Sequence, residues 1–264
     1  MSKTPINIVW FKRDLRFTDH EPLYRALDSD IPVLLVYFFE PSLIAFPDSD
    51  VRHWRFVHQS LMEMNDKLSA LKSQIYLFHS EVLPLFHSLQ SNYIIREIYS
   101  HQEVGNHLTF QRDLIVKKFC QQQQITWHEY THNAVMRGGG ARSNWEKRWR
   151  SIMEHEPYLV SEDNWHLVSL ASSFYDKIKG EALSLGITSH HPSFQPGGES
   201  FAWKYLDGFL KKRSVNYANH ISKPALSRKS CSRISPYLSY GNISMRMVYQ
   251  IGRASCRERV SSPV

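Results

Sequence analysis

A short polar segment late in the chain combines residues that could bind an anion. Ser232, Arg233 and Ser235 lie just before Pro236, a residue that favours the first turn of a helix. Serine hydroxyls, an arginine side chain and the unpaired N–H groups of a first helical turn can together cradle a phosphate. The same residues are also typical of an ordinary serine N-cap with its arginine in solvent, so both interpretations stay open from these residues alone.

A second charged group follows the first apolar run. Arg13, Asp14 and Arg16 come directly after Ile6–Phe11, where a buried strand would end. A partly buried carboxylate is rarely left unpaired, so we expect Asp14 to pair with Arg13, with Arg16 or with an arginine from a following helix. The alternative is a charged loop that closes the strand.

Neither histidine nor cysteine spacing indicates a metal site. The 14 histidines form no H-x-x-x-H or H-E-x-x-H pair on one predicted helix. The cysteines Cys120, Cys231 and Cys256 lack paired or metal-type spacing, which is consistent with a reducing compartment. No stretch approaches the roughly 20 apolar residues of a membrane span, and the start does not resemble a signal peptide. We expect a cytoplasmic monomer with no membrane partner and no metal.

Short apolar runs alternate with amphipathic segments in the first 130 residues, which predicts an α/β fold with a doubly wound parallel sheet. We predict five strands, each buried on both faces: Ile6–Phe11, Val33–Phe39, Gln74–Phe78, Tyr93–Tyr99 and Ile125–Tyr130. The predicted helices between them are His20–Ala26, Val51–Leu71, Val82–Leu89 and Asn106–Cys120. The first strand lacks a following G-x-G-x-x-G, which excludes an ordinary NAD-binding domain.

The chain then changes character. Residues 131–197 form a loop-rich connection with one clear helix start, because Ser143 and Glu146 have the spacing of a capping box. Trp145 and Trp149 follow one turn apart on the same helix face. The segment from Arg137 to Arg150 mixes basic and aromatic residues, a composition found in grooves for single-stranded nucleic acid as well as in connections. Two helical patterns close the chain, at Glu199–Arg213 and Ser235–Gln250.

The formal charge of +7 is unevenly distributed. Residues 1–130 carry 13 Lys+Arg against 15 Asp+Glu, a net charge of −2, and the remainder carries 19 against 10, a net charge of +9. Only the second half is therefore suited to a polyanion such as nucleic acid, although an ordinary solvated basic surface would have the same composition.

Two distant motifs resemble the DNA photolyase and cryptochrome family. The opening Trp10-Phe11-Lys12-Arg13-Asp14-Leu15-Arg16, with Asp19 soon after, is similar to the start of that family. Gly198-Glu199, Tyr217, Pro224, then Ser232-Arg233-Ile234-Ser235-Pro236-Tyr237-Leu238 and Gly241-Asn242-Ile243-Ser244, follow the order and spacing of its flavin domain. The two motifs span nearly the whole chain as far as Gln250.

The resemblance implies a Rossmann-like photolyase domain at 1–130, the connection at 131–197 and the start of an all-α FAD-binding domain at 198–250. It implies that Tyr217, Ser232, Arg233, Ile234 and Ser235 contact the pyrophosphate of FAD. Many relatives carry threonine where this chain has Cys231, so one hydroxyl contact is in doubt. Glu103, which follows a predicted strand end, could contact an antenna pigment such as a folate or deazaflavin; the alternative is a solvated glutamate at a helix entry.

The activity implied is that of a deoxyribodipyrimidine photolyase: excited reduced FAD gives an electron to a cyclobutane pyrimidine dimer in DNA, and the dimer splits. A cryptochrome blue-light receptor that uses FAD without repair is the alternative, and a nucleotide-binding module built on the first domain alone is the third interpretation. The resemblance places the catalytic residues after this chain's last residue, so residues 1–264 alone are expected to bind FAD weakly and to be inactive. Residues 251–260 lack periodicity and resemble a translated sequencing adapter; we expect residues 251–264 to be a non-native tail, with a genuine basic tail as the alternative.

Overall fold

A five-stranded parallel sheet organises the first half of the chain. The structure, a computed structural model, describes residues 3–135, 137, 144–161 and 165–261, with side chains as far as residue 254. The strands are β1 (Thr4–Phe11), β2 (Val33–Phe38), β3 (Tyr76–Phe78), β4 (Tyr93–His101) and β5 (Thr126–Tyr130). Their order is β3-β2-β1-β4-β5, with every neighbour parallel. The chain winds outward from β1 in both directions, which confirms the doubly wound α/β fold.

The helices that cross between these strands begin at side-chain caps. They are α1 (Glu21–Leu27), α2 (Pro41–Ile44), α3 (Val51–Leu68), α4 (Val82–Gln90) and α5 (His107–Gln122). The side chains of His20, Asp50 and Asn106 accept backbone N–H groups at the starts of α1, α3 and α5, which satisfies donors that lack a partner within the helix. The predicted extension of α3 to Leu71 is a separate 3₁₀ turn over Ser69–Leu71.

The sheet separates two apolar cores, and β1 contributes to both. Ile8 and Trp10 face one core, whereas Val9 and Phe11 face the other, as the two-residue repeat of a strand requires. All four are at most 1% exposed. The prediction that each strand is buried on both faces is wrong for β5, an edge strand with no fully buried residue.

The connection packs on the sheet and is more structured than its composition indicates. It contains α6 (Trp145–Glu154), α7 (Ser172–Ile178) and α8 (Leu185–Thr188). Val33 at the start of β2 forms a parallel bridge with Leu167, and the Tyr175 hydroxyl donates to the Leu77 carbonyl at 2.9 Å. Ser143 lies outside the described residues; Asn144 precedes α6 with a φ of 70° and no side-chain cap.

The last part is helical, but the predicted helix Ser235–Gln250 is wrong as a single element. The last part of the chain comprises α9 (Glu199–Lys211), a 3₁₀ turn (Arg213–Asn216), α10 (Tyr217–His220), α11 (Pro224–Ser230), α12 (Ser235–Ser239) and α13 (Met245–Ser261). The break lies at Gly241, whose φ of +69° is left-handed and interrupts helical geometry. Helix α13 continues past Gln250 to Ser261; the non-native origin of residues 251–264 stays a prediction.

Helix α3 joins the two halves. Its Glu63 carboxylate accepts the backbone N–H of Ser200 at 2.9 Å and the Ser200 hydroxyl at 2.6 Å, and so caps α9. Its Gln59 accepts the N–H of Gly197 at 2.9 Å. Phe56 packs in a third apolar cluster with residues of α9, α12 and the segment before α13. The domain limits at 130 and 198 remain a proposal. Among the described helices, none has the length and apolarity needed to cross a bilayer.

Candidate functional site

The two motifs that resemble the photolyase family contact each other directly. The Leu15 N–H donates to the Tyr240 carbonyl at 3.1 Å, and the Asn242 side chain donates to the Leu15 carbonyl at 3.1 Å. Arg16 donates from Nη1 to the Gly241 carbonyl at 2.9 Å. A Cβ at Gly241 would lie 2.3 Å from the Arg13 carbonyl oxygen, so this approach requires glycine.

Asp14 is fully buried and pairs with histidines, so the expected arginine partner is wrong. Its Oδ2 accepts from His20 Nε2 at 2.9 Å and from His101 Nδ1 at 2.7 Å, while Oδ1 accepts the backbone N–H of Lys12 at 2.6 Å. Burial raises the pKa of Asp14, but His20 and the hydrogen bonds from both histidines outweigh burial and hold that pKa well below its usual value.

The two nearby arginines have other roles. Arg13 pairs with Glu103 at 3.3 Å. Arg16, only 2% exposed, donates to the backbone carbonyls of Thr18, Asp19 and Gly241. Arg16 therefore holds the backbone of the loop after β1, where its planar fork matches several acceptors at once.

The histidines around Asp14 come from three segments. Ligand atoms of Asp14, His20 and His101 lie within 4.8 Å of one another, a group that could hold a metal ion. His20 nevertheless uses both ring nitrogens, since Nδ1 accepts the Leu23 N–H at 3.1 Å while Nε2 faces Asp14. This favours a hydrogen-bonded network over metal ligation. His132 packs edge-on against His101, with ring centroids 4.9 Å apart.

Residues 128–132 spell H-E-x-x-H, but the two histidines do not share a helix face. His128 lies on β5 and stacks on Tyr99, whereas His132 lies in the loop beyond the strand and contacts His101. The zinc geometry that this motif provides on a helix is therefore not formed.

A cavity of about 140 Å³ opens at the carboxyl ends of β1, β2 and β4, the position where doubly wound sheets bind ligands. Aromatic residues line it, among them Trp10, Tyr37, Trp54 and Tyr240. The volume is close to that of a cavity that holds one benzene ring, about 150 Å³, so a multi-ring pigment would have to displace part of the wall.

Glu103 lines this cavity and is 8% exposed, so the alternative of a solvated glutamate at a helix entry is wrong. Arg112 donates to Glu103 and to Glu40 at 2.6 Å each. Burial raises the pKa of Glu40 to about 7, although Arg112 opposes this shift.

The residues expected to meet the FAD pyrophosphate lie on one turn and one short helix. Ser232, Arg233 and Ser235 form the turn that enters α12, and Arg213 from the preceding 3₁₀ turn donates to the Ser232 carbonyl at 3.3 Å. Tyr217 starts α10. Ile234, 8% exposed, packs in the third apolar cluster instead of facing solvent.

This turn can accept a pyrophosphate. In the described part of the chain, the Ser232, Ser235 and Tyr217 hydroxyls have no protein hydrogen-bond partner, and Ser235 and Tyr217 are exposed. Arg233 has a φ of 58°, and its guanidinium lies 5.5 Å from the Tyr205 ring centroid. Because α12 has five residues, its dipole adds little and the hydroxyls carry the interaction.

The basic and aromatic helix α6 carries the predicted tryptophan pair. Trp145 and Trp149 stack with centroids 6.1 Å apart, and Tyr249 of α13 lies edge-on to Trp149 at 4.8 Å. Arg150 and Arg253 pair with Glu146 and Glu154. The tryptophans therefore pack on each other and on Tyr249, which favours a packing role in the connection over a nucleic-acid groove.

Sequence reasoning missed His20, His101 and Glu40. Each lies at a strand end or helix cap in a different segment, and no fixed spacing unites them. The available signal was topological: the carboxyl ends of β1, β2 and β4 meet at one edge of a parallel sheet.

Comparisons with known proteins agree with this geometry. The family model described as DNA photolyase matches residues 7–152, more than half of the chain. Cryptochrome-1 of Sinapis alba is 27% identical, with 96% of this chain and 53% of that protein covered. Cryptochrome-2 of Arabidopsis thaliana is 24% identical over 93% of this chain and 42% of its own. The chain thus spans about half the length of these relatives.

Solved structures share the fold. A cryptochrome from Synechocystis sp. PCC6803 superposes with a TM-score of 0.73 at 22% identity, covering 99% of this chain and 58% of its own. A photolyase from Sulfolobus tokodaii, described with two FAD molecules, has a TM-score of 0.70 at 22% identity, covering 94% and 55%. The family model, which matches more than half of the chain, shows that the chain belongs to the DNA photolyase and cryptochrome family.

Proposed function

We propose that the protein to which this chain belongs repairs cyclobutane pyrimidine dimers in DNA by light-driven electron transfer from reduced FAD, as a deoxyribodipyrimidine photolyase. The observation that carries the proposal is the direct contact between the two family motifs at Arg16 and Gly241. That contact holds the segment between α12 and α13 against the loop after β1. The net charge of +9 after residue 130 supports DNA as the partner.

When bound, reduced FAD would supply the excited electron, and the residues of this chain would hold it. Ser232 and Ser235 offer hydroxyls, Arg233 offers a charged donor and Tyr217 offers a phenol, all suited to a pyrophosphate. Ile234 fixes the turn to the apolar cluster below it. Cys231 offers only a weak donor, so we expect one fewer strong contact to phosphate than a threonine would give.

An antenna pigment is the second cofactor that we propose, in the cavity at the sheet edge. Trp54 and Tyr240 offer stacking faces there, and Glu40 and Glu103 offer acceptors. Stacking faces and acceptors together suit a planar heterocycle with N–H groups, a description that both a folate and a deazaflavin meet.

The blue-light receptor is the second candidate function, favoured by one observation: curated relatives that match more than nine-tenths of the chain are cryptochromes. The test is to express the complete reading frame, load it with FAD and irradiate it under reducing conditions with an oligonucleotide that contains a thymine dimer. Restored thymines would support repair. An FAD-loaded, photoreducible protein that leaves the dimer intact would favour the receptor.

The turn at Ser232–Ser235, called the flavin turn from here on, has its own test, which is independent of activity. In the protein encoded by the complete reading frame, the Ser232→Ala/Ser235→Ala double variant should retain less FAD after gel filtration than the unsubstituted protein, because two contacts to phosphate are lost. Ser193→Ala, which changes an exposed serine of the preceding loop, is the matched control. Equal flavin retention in all three proteins would contradict the assignment of this turn.

A further inference from the structure

A groove between α3 and the flavin turn lies beside the proposed FAD site and shares only Arg233 with the residues assigned to it. It encloses about 220 Å³. Arg52 of α3, Arg228 of α11 and Arg233 of the turn line it from opposite sides, and the described residues around it include no aspartate or glutamate. Three arginine side chains along one small space create a local positive potential that suits an anion.

The positive charge of this groove is poorly compensated. Arg52 pairs with Asp50 at 3.5 Å, but both side chains are about half exposed, and such pairs contribute little in water. Arg228 has no ion-pair partner among the described residues. Burial lowers the pKa of His53, which also lines the groove, and the neighbouring Arg52 lowers it further. The positive charge of the groove at neutral pH therefore comes from its three arginines and not from His53.

The other walls are aromatic. Phe56 is buried and lies 5.4 Å from Tyr240, centroid to centroid, at an interplanar angle of 39°. Phe194, on the opposite loop, is 44% exposed. Gln195 next to it donates to the Arg233 carbonyl at 3.0 Å, which ties this loop to the turn. The groove thus presents ring faces beside guanidinium groups, and the two chemistries together define its ligand.

We propose that this groove binds a ligand that combines a phosphate group with a flat aromatic ring, the chemistry of a nucleotide. Arginine forks bind phosphate oxygens in pairs, and the exposed ring of Phe194 can accept a stacked base. The volume is below the roughly 300 Å³ of typical small-molecule sites, so one base or one diphosphate group is enclosed and the rest of the ligand stays in solvent. The proposal does not depend on photochemistry.

The probe is ADP, titrated by calorimetry into residues 1–264 at low salt. We expect micromolar binding that weakens as salt rises, since charged contacts are screened. Pyrophosphate and adenosine should each bind at least roughly tenfold more weakly than ADP, because each lacks one half of the recognised chemistry. Pyrophosphate that binds as tightly as ADP would overturn the proposal, since the aromatic walls would then contribute nothing.

Variants separate this groove from the flavin turn, which could itself bind a diphosphate. Arg228→Gln and Arg52→Gln should each weaken ADP binding by about tenfold, whereas Arg96→Gln, an exposed arginine on β4, should not. The Ser232→Ala/Ser235→Ala variant should bind ADP normally. Loss of ADP binding in that variant, with normal binding in Arg228→Gln, would assign ADP to the flavin turn and refute the groove.

A ring variant gives a second measurement. Phe194→Ala should abolish the preference for ADP over pyrophosphate while leaving pyrophosphate affinity unchanged, because Phe194 is an exposed ring rather than a charged donor. The far-UV circular dichroism of each variant checks that it is folded, and these exposed positions should tolerate substitution. An unchanged preference in Phe194→Ala would count against the proposed stacking.

Discussion

Arg16 donates to the carbonyl oxygen of Gly241 at 2.9 Å, although 225 positions separate the two residues. The other guanidinium nitrogens of Arg16 are used by the carbonyls of Thr18 and Asp19. One side chain therefore closes the loop after β1 and also fixes the segment between α12 and α13 onto it.

Removing the Arg16 guanidinium should destabilise the protein strongly. Arg16→Met keeps most of the apolar stem but leaves three backbone carbonyls without their donor, at a cost of roughly 3 kcal/mol or more in the free energy of unfolding. Urea denaturation measures it. Arg25→Met, at a half-exposed i,i+4 pair with Glu21, is the control and should change stability by less than about 1 kcal/mol. Similar effects of both variants would contradict the role given to Arg16.

Gly241→Ala should separate the helical segment from the sheet. The left-handed φ is unfavourable for alanine, and its Cβ would lie 2.5 Å from the Asp14 Cα. We expect faster proteolysis between α12 and α13, together with a loss of thermal stability. Gly208→Ala is the control: it lies inside α9, meets only ordinary contacts and should stabilise by about 0.5–1 kcal/mol. Unchanged proteolysis in Gly241→Ala would refute the close approach.

Stability should fall as the pH drops from about 6.5 to 4. Burial lowers the pKa of His132 to about 4 and that of His101 well below its usual value. The unfolded chain therefore binds protons in this range that the folded protein does not, so the free energy of unfolding decreases as pH falls. The slope should approach about 1.4 kcal/mol per pH unit for each histidine.

His132→Phe tests this assignment because it keeps a ring but removes the titration. Between pH 6 and 4.5, the number of protons taken up on unfolding should decrease by about one, and the slope of the unfolding free energy against pH should decrease in proportion. Asp14 acts in a different window: its pKa is lowered, so its contribution is present above about pH 4 and is lost only at more acidic pH. An identical slope in His132→Phe would remove His132 from the explanation.

Glu63→Ala should weaken the contact between α3 and α9. The carboxylate caps Ser200 with two hydrogen bonds and lies 3.6 Å from Lys67, so its loss should cost about 1–2 kcal/mol. Hydrogen exchange of the first turn of α9 should accelerate. Glu146→Ala, at an exposed pair with Arg150, should have little effect. Protection of α9 that survives in Glu63→Ala would argue against the cap.

Local patterns were sufficient to predict the sheet, because runs such as Val33–Phe38 are buried on both faces and contain mainly β-branched and aromatic residues. They were insufficient at Gly241, where the chain approaches a distant loop and the helical pattern is interrupted for tertiary reasons. The partners of Asp14 were mispredicted for a similar cause. His20 and His101 meet it only through the order of the strands, and charge alone favoured the adjacent arginines.

The cap on α9 also bears on the order in which the chain becomes structured during synthesis. Glu63 leaves the ribosome 137 residues before Ser200, and α3 belongs to a unit whose strands are complete by residue 130. The helical segment therefore emerges onto a template that is already folded, consistent with domains that fold as units from the N-terminus. We expect a series of ribosome-bound chains, arrested at increasing lengths beyond residue 198, to show a protease-resistant sheet at shorter lengths than a protected α9. Protection of both at the same length would indicate that the two halves fold together.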